Sequence, residues 1–231
     1  MTPIAAGAAA DILVHRDLAA DRARALTLVH VSRETIERLD RFVGLLLQWQ
    51  RRMNLIAAST EPVIWSRHIA DSLQLLSLAP DAKIWVDLGS GGGFPGMVIA
   101  CALAGTIGAQ VHLVERSTKK AVFLREAVRV TGASATVHAE RTEDFIRHAP
   151  AHIDVVTARA LAPLPKLLAL AFPLLKTGAK GLFPKGQDVD AELTEAAKCW
   201  NMRASLVSSL TDPQSTIIVL DAVSIKRRKF A

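Results

Sequence analysis

Val86-Asp87-Leu88-Gly89-Ser90-Gly91-Gly92-Gly93-Phe94-Pro95-Gly96 decides the fold. Ile84 to Leu88 is a short apolar run of the length and composition of a buried strand. Five glycines in the next eight positions then turn the chain and let a ligand approach the backbone closely. Pro95 opens a helix that runs through Ala104, with Pro at the position where its missing N–H costs nothing. A strand, a glycine-rich turn and a helix N-terminus together form the ligand-binding end of a parallel α/β unit.

Downstream of this unit the pattern repeats. Strands are expected at 111–114, 135–138, 153–157 and 181–183. Between them lie helices at 117–130, with Ser117 as cap, at 164–174 and at 188–200. Residues 203–209 and 216–221 read as a closing antiparallel pair. The fold class is therefore α/β, a Rossmann-like arrangement with a seven-stranded, mostly parallel sheet and helices on both faces. Upstream, Ser32 caps a helix whose apolar positions are Ile36, Leu39, Val43, Leu46 and Leu47. Residues 54–59 break it, and Thr60-Glu61-Pro62 start a second helix that reaches about residue 78. The division expected is an Ala-rich extension over 1–27, flexible and at most partly helical, a helical cap over 28–80, and the α/β domain over 81–231.

Composition narrows the function classes. Cys101 and Cys199 stand alone, outside any CxxC or Cys/His cluster, so no metal site is expected. No apolar run reaches the roughly 20 residues that span a bilayer. Asp11, Asp17 and Asp21 make the N-terminus unlike a transit peptide. A cytoplasmic monomer with no membrane contact is expected. The formal net charge of +6 fits a polyanionic partner as well as a simply soluble basic protein. The run Lys226-Arg227-Arg228-Lys229 reads as a phosphate contact or a solvated terminus.

Gly91-x-Gly93-x-x-Gly96 matches a dinucleotide fingerprint, but Asp87 stands two residues before the first glycine. A carboxylate there repels a pyrophosphate and suits a ligand with an ammonium and a sulfonium. S-adenosylmethionine (AdoMet) carries both. The cradle would be Asp87, Gly89, Ser90, Gly91 and Gly93, with Phe94 as a wall rather than a core residue. Glu115 ends the second strand, where an acid can accept hydrogen bonds from both ribose hydroxyls, or instead pair with Arg116 or Lys119. Thr142 and Glu143 follow the third strand, at the edge where adenine lies; Thr142 also reads as a helix cap.

The acceptor is narrowed by absences. Neither cysteine follows a relevant strand, as a pyrimidine C5 methyl transfer would need. The chain after the fourth strand reads Thr157-Ala158-Arg159-Ala160-Leu161, not the Asn/Asp-Pro-Pro-aromatic turn of exocyclic-amine enzymes. A ring nitrogen with its own lone pair, such as guanine N7, needs neither device; holding the two partners in line suffices. Arg159 and Lys185 follow the fourth and fifth strands and are the candidate catalytic residues, together with His68. Arg159 can contact a guanine O6 or a phosphate, or pair with Asp154 or Glu143. In Arg67-His68-Ile69-Ala70-Asp71-Ser72, the i,i+4 pairs Arg67/Asp71 and His68/Ser72 face together. That face serves the cleft or braces the cap against the sheet.

These residues resemble the RsmG (GidB) family of small-subunit rRNA guanine-N7 methyltransferases over roughly 35–225. The resemblance rests on Trp49 with Asn54-Leu55, Arg67 through Leu73, Asp87 through Gly96, Arg159-Ala160-Leu161-Ala162, and Lys185-Gly186. It implies a class I AdoMet-dependent methyltransferase fold, with AdoMet contacts at Gly89, Phe94, Thr142, Glu143 and Arg159. It implies as target a guanine in the decoding-region loop of 16S rRNA, met as RNA or in a small-subunit particle. The alternative is an AdoMet-dependent enzyme for a small molecule or another RNA; a small-molecule enzyme would show an enclosed apolar pocket without a basic rim.

Overall fold

A computed structural model describes residues 17–226. Seven strands form one sheet in the order β3-β2-β1-β4-β5-β7-β6. The strands are β1 (Ile84–Leu88), β2 (Gln110–Val114), β3 (Ala135–His138), β4 (Val155–Thr157), β5 (Lys180–Lys185), β6 (Trp200–Ser208) and β7 (Thr216–Ile225). β1 to β5 are mutually parallel, β7 runs antiparallel to β5, and β6 antiparallel to β7. The strand order reverses at β1, so the carboxyl ends of β1 to β5 open on one crevice. Asp154 pins the opposite end: its Oδ2 accepts from Lys83 N and Ile84 N, both at 2.8 Å.

The helices are α1 (17–28), α2 (Arg33–Gln50), α3 (Asp71–Ser77), α4 (Gly96–Leu103), α5 (Thr118–Thr131), α6 (Thr142–Phe145), α7 (Leu164–Leu175) and α8 (Val189–Ala197). On one sheet face, Leu39, Phe42 and Leu46 of α2 and Trp65 and Ile69 of the cap share a core with Trp85, Val111 and Phe123. α4 lies inside this layer and is buried at every position from Gly96 to Cys101, as its apolar sequence requires. The other face is covered by α7 and α8 through Leu167, Leu168, Leu175 and Ala196. Burying one fully enclosed leucine or phenylalanine here stabilises the fold by about 1.5–3 kcal/mol.

Ser32 caps α2 as expected, its Oγ accepting from Thr35 N at 3.2 Å. Ser117 holds the cap position of α5 but its side chain makes no capping bond, while its own N–H donates to Glu115. Arg141, not Thr142, occupies the cap position of α6. α8 ends three residues before the expected 200, since Trp200 opens β6 and packs on Phe172 with ring centres 5.1 Å apart.

The second cap helix is not continuous. It consists of a 3-10 turn (Ala58–Val63), a π-helical turn (Trp65–Ala70) and then α3. Pro62 sits in the first piece, and the carboxylate of Asp21 accepts Trp65 N at 2.9 Å and Ser66 N at 3.0 Å at the start of the second. Asp21 belongs to α1, inside the segment expected to be a flexible extension. The described part of that segment, 17–27, is instead docked: Asp21 is buried, bonding Ser66 Oγ as well, and Ala25 joins the core. Residues 1–16 and 227–231, which include most of the basic tail, lie outside the described residues.

Candidate active site

The glycine loop is shaped by hydrogen bonds that turn its amides inward. Gly89 N and Ser90 N donate to Val114 O at 2.8 and 3.0 Å, and Gly93 N to Ser90 O at 2.7 Å. Gly91 N donates to Glu115 Oε2 at 2.9 Å, and Gly96 N to Asp87 Oδ2 at 3.1 Å. The free N–H groups expected at the start of α4 are therefore taken, Met97 N also, by Gly93 O. A pyrophosphate needs those donors. Their engagement by Asp87 and by the loop's own backbone, with Glu115 on Gly91 N, sets this loop apart from a dinucleotide site.

Asp87 is buried, with its second oxygen accepting from Thr157 Oγ1 at 3.0 Å. Burial pushes its carboxyl up to about 6, against the hydrogen bonds from Thr157, Ser90 and Gly96 and the charge of Arg159. It faces the protein rather than the cleft and acts as the brace and electrostatic floor of the loop. Gly96 must be glycine, because a Cβ there would overlap Leu113 Cδ2 and lie 2.6 Å from Asp87 Oδ2. Gly93 packs on Phe42 and Met97, and Ser90 bonds Asp87 O; both shape the loop without lining a cavity.

Gly89, Gly91, Glu115, Thr142 and Glu143 do line one, a cavity of about 440 Å³ beside the ends of β1, β2 and β3. Glu115 spans it at the base. Its Oε1 accepts Ser117 N at 2.7 Å while Oε2 holds Gly91 N, so it fixes loop and helix together and pairs with neither Arg116 nor Lys119. Each oxygen retains a lone pair for a ribose hydroxyl. Glu140 and Glu143 share the lining with Arg116, Lys120, Arg141 and Lys166, so the cavity is mixed in charge, and Glu115 is the group that fits it to the ribose of AdoMet.

A second cavity of about 770 Å³ opens on the cap side, lined among others by Arg67, His68, Arg159, Lys185 and Ile56. The segment Ala160-Leu161-Ala162 borders both cavities and forms the partition. Ala160 has φ 53°, and Leu161 Cδ1 covers Gly89 so closely that a Cβ at 89 would approach it to 2.7 Å.

Arg159 sits over the Phe94 ring at 5.1 Å, a cation–π contact, and reaches Arg67 O in a long 3.5 Å contact. It pairs with neither Asp154 nor Glu143. Burial holds its guanidinium down to about 10, against the attraction of Asp71 and Asp87; it stays charged. His68 stacks on the same Phe94 ring at 4.8 Å and meets Thr60 Oγ1 through Nε2 at 2.9 Å. Burial, then Arg159 and Arg67, push its pKa down to about 3, so it is neutral at physiological pH. Its Nδ1 has no partner among the described residues. Phe94 itself lines neither cavity. Its ring leans on Phe42 at 5.4 Å and carries His68 and Arg159, so the expected wall is a post behind the wall. Lys185 Nζ is held by Glu192 at 2.7 Å and Ala162 O at 2.9 Å, which ties β5 to α8 and anchors the partition.

Within the segment 67–72, Ser72 Oγ donates to His68 O at 2.6 Å, but Arg67 and Asp71 do not pair with each other. Arg67 bonds Asp212 at 2.5 Å and Ser215 at 3.0 Å, and Asp71 accepts from Ser209 at 2.7 Å and from Thr211. The cap is thereby tied to the β6–β7 turn, and the same segment lines the cleft.

The family model for rRNA small subunit methyltransferase G matches residues 35–218. The chain belongs to this family. The Ribosomal RNA small subunit methyltransferase G of Bradyrhizobium sp. strain BTAi1 is 59% identical over 212 residues, 92% of this chain and 96% of the relative. The protein of the same name from Rhodopseudomonas palustris strain BisB18 is 58% identical over 207 residues, 90% and 88%. Among solved structures, the O-methyltransferase TomG from Streptomyces achromogenes, in complex with SAM, aligns with a TM-score of 0.57 at 13% identity, covering 90% of this chain and 98% of that one. An O-methyltransferase from Bacillus cereus in complex with SAH gives 0.57 at 15%, covering 90% and 99%. These likenesses show the class I methyltransferase fold.

Three residues of this family member's site escaped sequence reading. Gln50 staples the loop under the cleft, accepting Leu55 N and Ile56 N at 2.9 and 3.1 Å and donating to Ile56 O at 2.9 Å. Asp21 sets the π-turn that presents Arg67 and His68; π-turns recur at functional sites. Glu192 holds Lys185. A polar residue on an otherwise amphipathic helix was the only local signal for each.

Proposed function

We propose that this chain transfers a methyl group from AdoMet to N7 of a guanine in 16S rRNA. The carrying observation is that the β1 to β5 ends converge on two cavities with residues 160–162 as a common border, one holding Glu115 with its free lone pairs and the other holding Arg159, which makes no ion pair among the described residues. Family membership supplies the substrate class. When bound, AdoMet supplies an electrophilic methyl on its sulfonium.

Glu115 would accept the ribose hydroxyls, Thr142 and Glu143 would meet the adenine edge, and Gly89 and Gly91 would let the ligand lie against the backbone. Across the partition, Arg159 would hold the guanine O6 or an adjacent phosphate. Lys185 would hold the partition and extend the basic rim. Neutral His68, stacked on Phe94 with Nε2 on Thr60, would hold the ring that carries Arg159. A guanine N7 carries no proton to remove, so positioning is the residues' whole task. The rRNA is expected to be met as RNA or within a small-subunit particle, by a cytoplasmic monomer. A small-molecule acceptor is disfavoured because the acceptor cavity is open rather than enclosed and holds Arg159, which is in no ion pair among the described residues.

The test is mass spectrometry of nuclease-digested 16S rRNA from cells with and without the gene. One 7-methylguanine should vanish from the decoding-region loop and return with the wild-type gene but not with Glu115→Ala. An unchanged modification map would refute the rRNA assignment.

A further inference from the structure

A third cavity, of about 630 Å³, lies outside the site just described. The side chains that give it character are Trp49, Met53 and Val122, with Arg51, Arg52 and Lys119 around them. Trp49 is half-buried and rests on Phe123 at 5.7 Å, which fixes its ring. Val122 is 47% exposed, an apolar side chain left open to solvent beside it. Arg51, Arg52 and Lys119 are exposed, and among the described residues none of them is in an ion pair. No acid lines the cavity. A flat aromatic floor with three free cations and no carboxylate matches a base and the phosphates on either side of it.

Its place in the fold matters as much. Residues 51–53 line this cavity, and Leu55, Ile56 and Ala57 line the acceptor cavity. One short segment therefore runs from one to the other, and Gln50 holds that segment rigid through three hydrogen bonds. On the far side, Lys119 lines this cavity while its neighbour Lys120 lines the cavity of Glu115. A single RNA strand leaving the acceptor cavity along 55–53 arrives here.

We infer that the Trp49 cavity is a second RNA subsite, which holds an unpaired nucleotide of the strand that carries the methyl acceptor. Its base lies on Trp49, Met53 and Val122, and its flanking phosphates meet Arg51, Arg52 and Lys119. The inference rests on the rRNA reading above and adds an anchor away from the chemistry, made before and during transfer alike, so it acts on RNA affinity.

The test uses the full chain and two probes: an unstructured single-stranded RNA decamer for binding and small-subunit particles for methyl transfer. The variant is the triple Arg51→Ala/Arg52→Ala/Lys119→Ala, all exposed positions, with AdoMet affinity and melting temperature as controls on folding. Decamer affinity should fall at least about tenfold, and its log–log salt slope should drop by roughly 2, at about 0.7 for each phosphate no longer neutralised. KM for particles should rise more than kcat falls. Quenching of tryptophan fluorescence by the decamer should disappear in Trp49→Phe. Decamer affinity and salt slope within twofold of wild type would overturn the subsite, even if particles are still methylated. Equal binding of uridine monophosphate and the decamer would also overturn it, in favour of a free-nucleotide site. If the wild type methylates no particle while the triple variant still loses decamer affinity, the acceptor assignment fails and the subsite stands.

Discussion

The cofactor side and the acceptor side of the cleft are built in different ways. On the cofactor side most of the decisive contacts are short in sequence: Gly96 to Asp87, Ser90 to Asp87, Ser117 to Glu115, and Glu115 to Gly91 only 24 residues away, with Thr157 to Asp87 across 70 residues the exception. On the acceptor side they are long: Arg67 to Asp212 spans 145 residues, Asp71 to Thr211 spans 140, and Asp21 to Ser66 spans 45. The first region is one supersecondary unit and its shape is dictated locally. The second is assembled from the cap, the partition and the β6–β7 turn, and exists only once the chain has closed. The difference teaches that the ligand-binding half can be preformed while the acceptor half is adjustable by contacts far from the chemistry.

The largest effect expected on the comparison comes from Gly96→Ala. The added methyl overlaps Leu113 Cδ2 and comes within 2.6 Å of Asp87 Oδ2 and 2.7 Å of Asp87 Cβ, side chains that are themselves buried. Urea unfolding should show a loss of about 3 kcal/mol, at the upper end for overpacking. A loss under about 1 kcal/mol would mean that the cofactor side yields, and the contrast with the acceptor side would collapse.

Glu115→Ala tests whether that side's stiffness serves the ligand. It removes charge-assisted bonds worth about 1.5–3 kcal/mol each. Calorimetry should find AdoMet affinity down about 100-fold, equivalent to about 3 kcal/mol, with RNA affinity within twofold. An equal fall in RNA affinity, or a stability loss that accounts for the whole effect, would make Glu115 a structural brace only.

Asp87→Asn sharpens the same point through pH. The carboxyl rises from 3.8 unfolded to about 6 folded, so the folded state binds the proton more tightly. Stability contributed by this group is complete below pH 3.8 and falls as pH rises through about 6, by a few kcal/mol. The amide has no charge to bury. The variant should therefore be flat over that window, at least as stable as wild type above pH 6, and weaker for AdoMet. A parallel pH dependence in both proteins would show that another group is responsible.

The smallest effect is expected at the acceptor side's surface. Arg67 and Asp212 pair with side chains 40% and 28% exposed, so a double-mutant cycle on stability should give a coupling below about 1 kcal/mol. The same cycle on methyl transfer should give a larger coupling, because the pair places the cap over the cleft. Equal couplings would mean the pair is only a surface contact.

Much of the frame was legible because it follows from periodicity. The strand runs, the amphipathic α2 with Ser32 as its cap, and the buried α4 were read from residue spacing and local hydrogen-bond chemistry. Reading failed where a local rule met a distant partner. Ser117 looked like a capping side chain; it holds the cap position, but its hydroxyl makes no capping bond and its own N–H goes to Glu115. Residues 60–78 looked like one helix, but Asp21 took the amides of Trp65 and Ser66 and Pro62 interrupted the start. Phe94 looked like a site wall, yet Phe42 drew its ring into the core.

Local sequence was enough for the strand–glycine loop–helix unit, the succession of strands and helices along the chain, and the residue types at the strand ends, because each depends on spacing and on sterics within a few residues. It took the closed fold to bring Thr157 to Asp87, Asp212 to Arg67, Thr211 to Asp71, and Lys119 to Arg51 and Arg52 beside Trp49. A carboxylate or a guanidinium has no preferred partner written into its identity. It takes whichever donor or acceptor the closed fold brings within about 3 Å, and that choice is made in space.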